Sequence, residues 1–150
     1  MIDGVHIKKV TKHEDPRGFF AELMKEGDPG FHPVMQTSYS LSAPGVVKAF
    51  HFHNYHESWC VLQGRAHVVI YDNREDSPTY KETQVLELNS EAPMVLSIPP
   101  KIPHGYKVIG TEPVGMLYHA EEAYDPSRPD QIGIIAEDDP AIGYDWTAIS

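Results

Sequence analysis

Two histidines one residue apart, His51 and His53, are followed after three residues by a carboxylate, Glu57. Imidazole and carboxylate groups in one place can hold a divalent metal or move protons to and from a substrate. The stretch that carries them runs from Gly45 to Gly64, and its first half alternates in polarity. Read as a strand, Val46 to His53 puts Val47, Ala49, His51 and His53 on one face and Lys48, Phe50 and Phe52 on the other. Asn54 to Glu57 reads as a polar turn and Ser58 to Leu62 as the returning strand. The predicted hairpin brings Glu57 back beside the two histidines.

The elements that must position these groups are short and extended. An edge strand is predicted within residues 1 to 10, with Val5 and Ile7 alternating against His6 and Lys8. The turn signal Asp15-Pro16-Arg17-Gly18 leads into a short strand, and Gly27 to Pro33 is a surface loop. Further strands are read at Met35 to Ser42, Arg65 to Asp72, Glu82 to Leu88, Met94 to Ile98, Gly105 to Ile109 and Val114 to His119, with Asn73 to Lys81 as polar loop. About ten short strands and no long amphipathic helix point to an antiparallel all-β sandwich or small barrel. With no internal repeat, linker or low-complexity tract, residues 1–150 read as a single domain.

Composition narrows the classes. The formal charge is −10, with 12 Lys and Arg scattered along the chain, which argues against nucleic acid as a partner. It does not argue against an anionic small molecule, which a few well-placed cations can hold. No apolar run is long enough to span a bilayer and the N-terminus lacks a signal peptide's apolar core, so the expected location is cytoplasmic, with no membrane partner. The lone cysteine, Cys60, lies in an apolar strand pattern and reads as a buried structural thiol. The run Glu137-Asp138-Asp139 reads as solvated surface, and His67 as structural rather than catalytic.

The spacing Gly45, His51-x-His53, Glu57, Gly64 resembles the first motif of the cupin superfamily without a gap. Ile98-Pro99-Pro100-Lys101-Ile102-Pro103-His104 resembles the second, with His104 in the ligand place. The resemblance implies a cupin double-stranded β-helix, a jelly-roll barrel. It also implies a four-residue metal set of His51, His53, Glu57 and His104, suited to zinc, iron, manganese or nickel.

A closer resemblance covers nearly the whole chain. Asp15-Pro16-Arg17-Gly18-Phe19-Phe20, Gln36-x-Ser38-x-Ser40, Gly45-Val46-Val47-Lys48-Ala49-Phe50-His51, Asp72-x-Arg74-x-x-Ser77-Pro78-Thr79, Pro103-His104-Gly105, Tyr118, Tyr124-x-Pro126 and Asp139-Pro140-x-Ile142-x-x-Asp145-Trp146 follow the order of the dTDP-4-dehydrorhamnose 3,5-epimerase family. The resemblance implies a nucleotide-sugar isomerase, working without a cofactor on a dTDP-4-keto-6-deoxyhexose by proton abstraction beside the ketone. His51 then matches the base and Tyr118 the acid. Arg17, Gln36, Lys48, His104 and Tyr124 match residues that contact the nucleotide sugar. A homodimer is implied, since that family exchanges N-terminal strands between subunits.

The sequence departs from the family in four ways. Lys48 replaces an arginine, keeping the charge and losing the bidentate fork. The place of an enolate-stabilising lysine falls to His56 or Glu57. The family's aspartate that orients the base, some tens of residues beyond the tryptophan, has no counterpart after Trp146. Members of the family have glutamine in the place of His53 and use no metal, whereas here all four ligand positions carry donors. An imidazole nitrogen bound to metal cannot also abstract a proton, so His51 as base and His51 as ligand exclude each other. Two alternatives to the epimerase follow. One is a metal-dependent cupin enzyme with the His51, His53, Glu57, His104 site acting on another small polar substrate; the other is a sugar-binding cupin without catalysis.

Overall fold

The computed structural model describes all 150 residues. Twelve strands form: β1 (His6–Lys9), β2 (His13–Asp15), β3 (Gly18–Phe20), β4 (Gln36–Ser42), β5 (Val47–His53), β6 (Glu57–Gln63), β7 (Arg65–Tyr71), β8 (Thr83–Asn89), β9 (Met94–Ile98), β10 (His104–Ile109), β11 (Val114–Ala120) and β12 (Ile132–Ile134). The only helical pieces are single 3₁₀ turns at Pro129–Gln131 and Trp146–Ala148, and no helix is long and apolar enough to cross a membrane. Two five-stranded antiparallel sheets, ordered β1-β9-β6-β11-β4 and β12-β5-β10-β7-β8, face each other as a cupin jelly roll. β2 and β3 form a separate hairpin.

Period-two alternation sorts the side chains of each strand between the inside and outside of this sandwich. On β7, Ala66, Val68 and Ile70 enter the main core between the sheets, where they meet Trp59 and Val61 of β6, Leu88 of β8 and Met116 of β11. The opposite face of β7 is not solvent. Val69 packs with Phe50 and Trp146 in a second cluster on the outer face of the second sheet, under the C-terminal segment that supplies Ile135, Ile142 and Tyr144. Polar bonds fasten that segment: Lys107 donates to the carbonyls of Trp146 and Ile149, at 2.7 and 2.5 Å, and His67 hydrogen-bonds Tyr144.

Two sequence expectations need correction, and both concern how the site is assembled. β5 and β6 are not a hairpin: they lie in different sheets, and residues 54–56 carry the chain from one sheet to the other. Glu57 therefore meets the histidines across the sandwich. Nor does β5 alternate cleanly. His104 pairs with His51, but Tyr106 pairs with Lys48, so β5 holds one residue more than β10 over this interval. Ala49 and Phe50 together oppose Gly105, the signature of a β-bulge. The extra residue turns Lys48 onto the face of His51 and His53, whereas Val47 and Ala49 turn outward to join Phe50.

Two strands were not read from the sequence. β2 and β12 escaped the sequence reading because three residues give no measurable period. β12 exists because Ile132 to Ile134 pair with His53 to His51, a register extended by reciprocal bonds between the backbones of Phe50 and Ile135, each at 2.9 Å.

Candidate active site

A pocket of about 330 Å³ opens between the sheets. The second sheet contributes Lys48, His51 and His53 from β5 and His104 and Tyr106 from β10. The facing sheet contributes Gln36 from β4, Glu57 and Trp59 from β6, and Tyr118 from β11. Tyr124 reaches the rim from the loop after β11, where its backbone N–H donates to Gln36 Oε1 at 2.8 Å. Residues far apart in sequence thus meet because facing sheets present alternate side chains to one space.

On the floor of the pocket, His53 Nε2 lies 2.7 Å from Glu57 Oε2, with both side chains about nine-tenths buried. The other carboxylate oxygen, Oε1, accepts from Trp59 Nε1 at 2.7 Å. Burial works to raise the Glu57 carboxyl, but the His53 bond, the neighbouring His104 and the Trp59 bond together hold it below its ordinary value. His53 stacks on Tyr55 at 4.8 Å, and its Nδ1 is buried without a partner. Tyr55 itself is pushed up to about 12, by burial first and then by the Glu57 charge.

His104 is 3% exposed, and burial pushes it down to about 4. Its Nδ1 donates to the Ile102 carbonyl at 2.7 Å, which leaves Nε2 of the neutral ring as a lone-pair donor. Donor atoms of His53, Glu57 and His104 all lie within 4.8 Å of one another. His51 does not belong to that group, so the four-residue set expected from sequence comes together as three.

His51 remains exposed on the pocket wall. Burial, then the adjoining His53, lower its imidazole below the ordinary value; Glu57 acts in the opposite sense and Lys48 in the same one. A neutral imidazole open to a pocket is a competent proton acceptor. On the facing sheet, Tyr118 hydrogen-bonds Ser40 Oγ at 2.9 Å, and burial raises its phenol above the usual range. His119, next in sequence, points the other way and bonds Thr37 Oγ1 at 3.1 Å. His56 also faces away from the pocket, toward Glu121 at 2.9 Å.

One candidate is not brought to this pocket. Arg17 sits in the turn of the β2–β3 hairpin, 90% exposed and paired with Asp15 at 2.5 Å. Its hairpin stands outside both sheets, so nothing in the fold of one chain turns the guanidinium inward. Lys48 is accordingly the one Lys or Arg that lines the pocket. Sequence reasoning missed Trp59 and Tyr106, although the signal was present: each stands two residues from an identified site residue, Glu57 and His104, and so shares its strand face.

Over residues 1–150 the chain matches the family described as dTDP-4-dehydrorhamnose 3,5-epimerase. A spore coat polysaccharide biosynthesis protein, SpsL, of Bacillus subtilis is 45% identical over 147 residues, covering 97% of each chain. A dTDP-4-dehydrorhamnose 3,5-epimerase of Methanothermobacter thermautotrophicus is 30% identical and covers 97% of this chain and 80% of its own. Among solved structures, a dTDP-6-deoxy-D-glucose-3,5-epimerase of Legionella pneumophila in complex with dTDP-4-keto-L-rhamnose superposes with a TM-score of 0.85 at 26% identity, covering 97% of this chain and 80% of that one.

Proposed function

The chain belongs to the dTDP-4-dehydrorhamnose 3,5-epimerase family, a family of nucleotide-sugar epimerases, and from that premise we propose that His51 and Tyr118 are its proton acceptor and donor. The substrate is a dTDP-4-keto-6-deoxyhexose. The observation that carries the reading is that the two side chains enter one pocket from facing sheets, with the neutral imidazole on one and the buried phenol on the other. A sugar ring held between them offers one face to each.

Protons beside a ketone are acidic because the carbanion left behind delocalises onto the carbonyl oxygen. His51 takes the proton from the carbon next to C4, and the C–H electron pair becomes the enolate. Tyr118 then delivers a proton to the same carbon from the other side, and the configuration inverts. Every step is a proton transfer, so the reaction calls for no cofactor. Lys48 supplies the positive charge for the enolate or for the nearer phosphate, while Gln36, His104 and Tyr124 position the sugar nucleotide. A pocket of about 330 Å³ is at the small end for ligand sites, which suits the sugar ring with the nucleotide leading outward.

The same premise supports a homodimer. β4 is an edge strand whose outer face leaves Tyr39 and Leu41 exposed, and the free-standing hairpin exposes Phe19 and Phe20 beside Arg17. Exposed edges and aromatic side chains of this kind are suited to pairing with a second copy. In that arrangement Arg17 serves a neighbouring pocket rather than its own.

The decisive experiment incubates chelator-treated protein with a dTDP-4-keto-6-deoxyhexose in heavy water and follows deuterium entry at C3 and C5 by proton NMR. Exchange is expected in the wild-type protein and is lost in His51→Ala. Absence of exchange at both carbons in the wild type refutes the reading for this sugar.

A second reading has one observation behind it. The donor atoms of His53, Glu57 and His104 lie within 4.8 Å of one another, and the unprotonated His104 Nε2 and the ionised Glu57 suit a divalent transition metal. When bound, such an ion polarises a carbonyl oxygen as a Lewis acid. Since His51 lies outside the three, base and ligands are separate residues here and the two uses no longer compete. Metal content after equilibration with zinc, manganese or nickel tests it: one bound ion per chain, lost in Glu57→Gln, supports the site, and none in the wild type rejects it.

A further inference from the structure

Tyr118 does not stand alone in the pocket wall. Its ring and that of Tyr106 both pack edge-on against Trp59, at centroid separations of 5.8 and 5.6 Å and interplanar angles of 79° and 84°. The indole thereby fixes two phenols that come from opposite sheets, and their hydroxyls meet at 3.4 Å. β4 continues the line on both sides. Ser40 bonds Tyr118 at 2.9 Å and Ser42 bonds Tyr106 at 3.0 Å, two serines on one strand face. Four hydroxyls therefore lie in a row, Ser40, Tyr118, Tyr106, Ser42. Tyr106 and Ser42 are 2% and 4% exposed, so the inner end of the row is shielded from water.

Each hydroxyl carries one proton and can accept others. While Tyr118 holds its proton, it donates to one neighbour or to the substrate. Once that proton has gone to the substrate carbon, the phenolate oxygen can only accept. A buried phenolate without donors is costly, because burial disfavours the charged form. Here two rotatable hydroxyls already face the oxygen, Ser40 at 2.9 Å and Tyr106 at 3.4 Å, and the second needs to close by only about 0.5 Å to donate a full hydrogen bond.

We propose that Tyr106 is a positioning residue for the proton donor, holding the Tyr118 oxygen in place and donating a hydrogen bond to the phenolate formed when Tyr118 protonates the substrate. The proposal rests on the epimerase reading. Protons balance without Tyr106 ever losing its own: one leaves the substrate for His51, one leaves Tyr118 for the substrate, and between turnovers His51 releases a proton to water while Tyr118 regains one. Tyr106 acts only through the hydrogen bond, with Ser42 orienting its hydroxyl. Sequence supplied no warning of this pairing, because the contact crosses between sheets.

The test is Tyr106→Phe, which keeps the ring against Trp59 and removes only the oxygen. A hydrogen bond to a developing charge is worth enough to lower kcat about 10-fold or more, with KM changed less than about twofold. In a Tyr118→Phe background the same substitution is expected to do nothing further, since the oxygen it serves is already gone. Tyr106→Phe leaves Ser42 buried without its partner, so Tyr106→Phe/Ser42→Ala is measured alongside to separate loss of folding from loss of rate. An unchanged kcat in Tyr106→Phe overturns the proposal, and so does an equal loss in both backgrounds. A wild-type protein that neither exchanges nor inverts the sugar overturns the epimerase reading and this proposal together, whereas an active wild type with an indifferent Tyr106→Phe overturns this proposal alone.

Discussion

Replacing Gly105 by alanine tests how the pocket is built. Gly105 is the residue opposite the bulge in β5, and a Cβ at that position would lie 2.3 Å from Ala49 Cβ, 2.7 Å from Ala49 Cα and 2.8 Å from the Lys48 carbonyl oxygen. Carbon contacts settle at roughly 3.5–4.0 Å, so the two strands must part by about 1 Å at the point that sets His104 against His51. Two of the three obstructing atoms are backbone and cannot rotate away. Overpacking costs about 1–3 kcal/mol where side chains can adjust, and here the upper end applies, about 3 kcal/mol. For a chain of this size that corresponds to a fall in Tm of roughly 6–12 °C, measured by calorimetry or circular dichroism. Ala49→Gly added to Gly105→Ala removes the shortest contact and leaves the other two, so it is expected to recover less than half of the loss. A fall below about 2 °C in the single variant would refute the bulge as the reason for glycine.

Two further outcomes follow from buried groups away from the pocket. Asp72, with no exposed side chain, accepts from Arg74 Nε and Nη2 at 2.9 Å each and from Ser77 and Thr79 hydroxyls at 2.6 Å each. Burial works to raise its carboxyl, but these bonds, Arg74 foremost, hold it well below the carboxylate range. A depressed folded-state value contributes stability above the unfolded value near 3.9 and loses it as pH falls below that. Asp72→Asn is therefore expected to cost about 3 kcal/mol at neutral pH in urea unfolding, with the gap to wild type narrowing below about pH 4; a gap independent of pH contradicts the assignment. The Cys60 thiol, 2% exposed and pushed up to about 11 by burial, is expected not to react with an aromatic disulfide reagent until denaturant is added. Rapid reaction of the native protein would show that β6 opens.

The β-rich class and the positions of most strands were legible because their alternation is local. Partner choice was not. Asn54 to Glu57 has the polarity of a hairpin turn, yet the same polarity serves a connection between sheets, and nothing within four residues distinguishes them. The gathering of His53 and Glu57 was reached from sequence through the wrong geometry. Strict alternation placed Lys48 away from the histidines, and only the extra residue in β5 reverses that. The motif containing Lys48 pointed to the pocket where its period did not. Arg17 shows the converse: its motif assigns it to a substrate, while one chain leaves it on an exposed turn.

Charge shows the same division between what the whole chain states and what the fold decides. A chain of formal charge −10 offers an unfavourable field to a nucleoside diphosphate sugar. The pocket does not share that sign in proportion. Its one carboxylate, Glu57, has an oxygen bonded to His53 and the other to Trp59, so neither is left facing the substrate unpaired. Its one ammonium, Lys48, is turned inward by the bulge. Partners within the wall offset the anion while the cation is presented, and over the few ångströms that matter for binding this local arrangement outweighs distant, solvent-screened charges. The bulge opposite Gly105 thus sets more than the register of two strands. By bringing Lys48 round to the side of His51, it sets an imidazole and an ammonium on one strand face, the pairing that the proposed proton abstraction calls for.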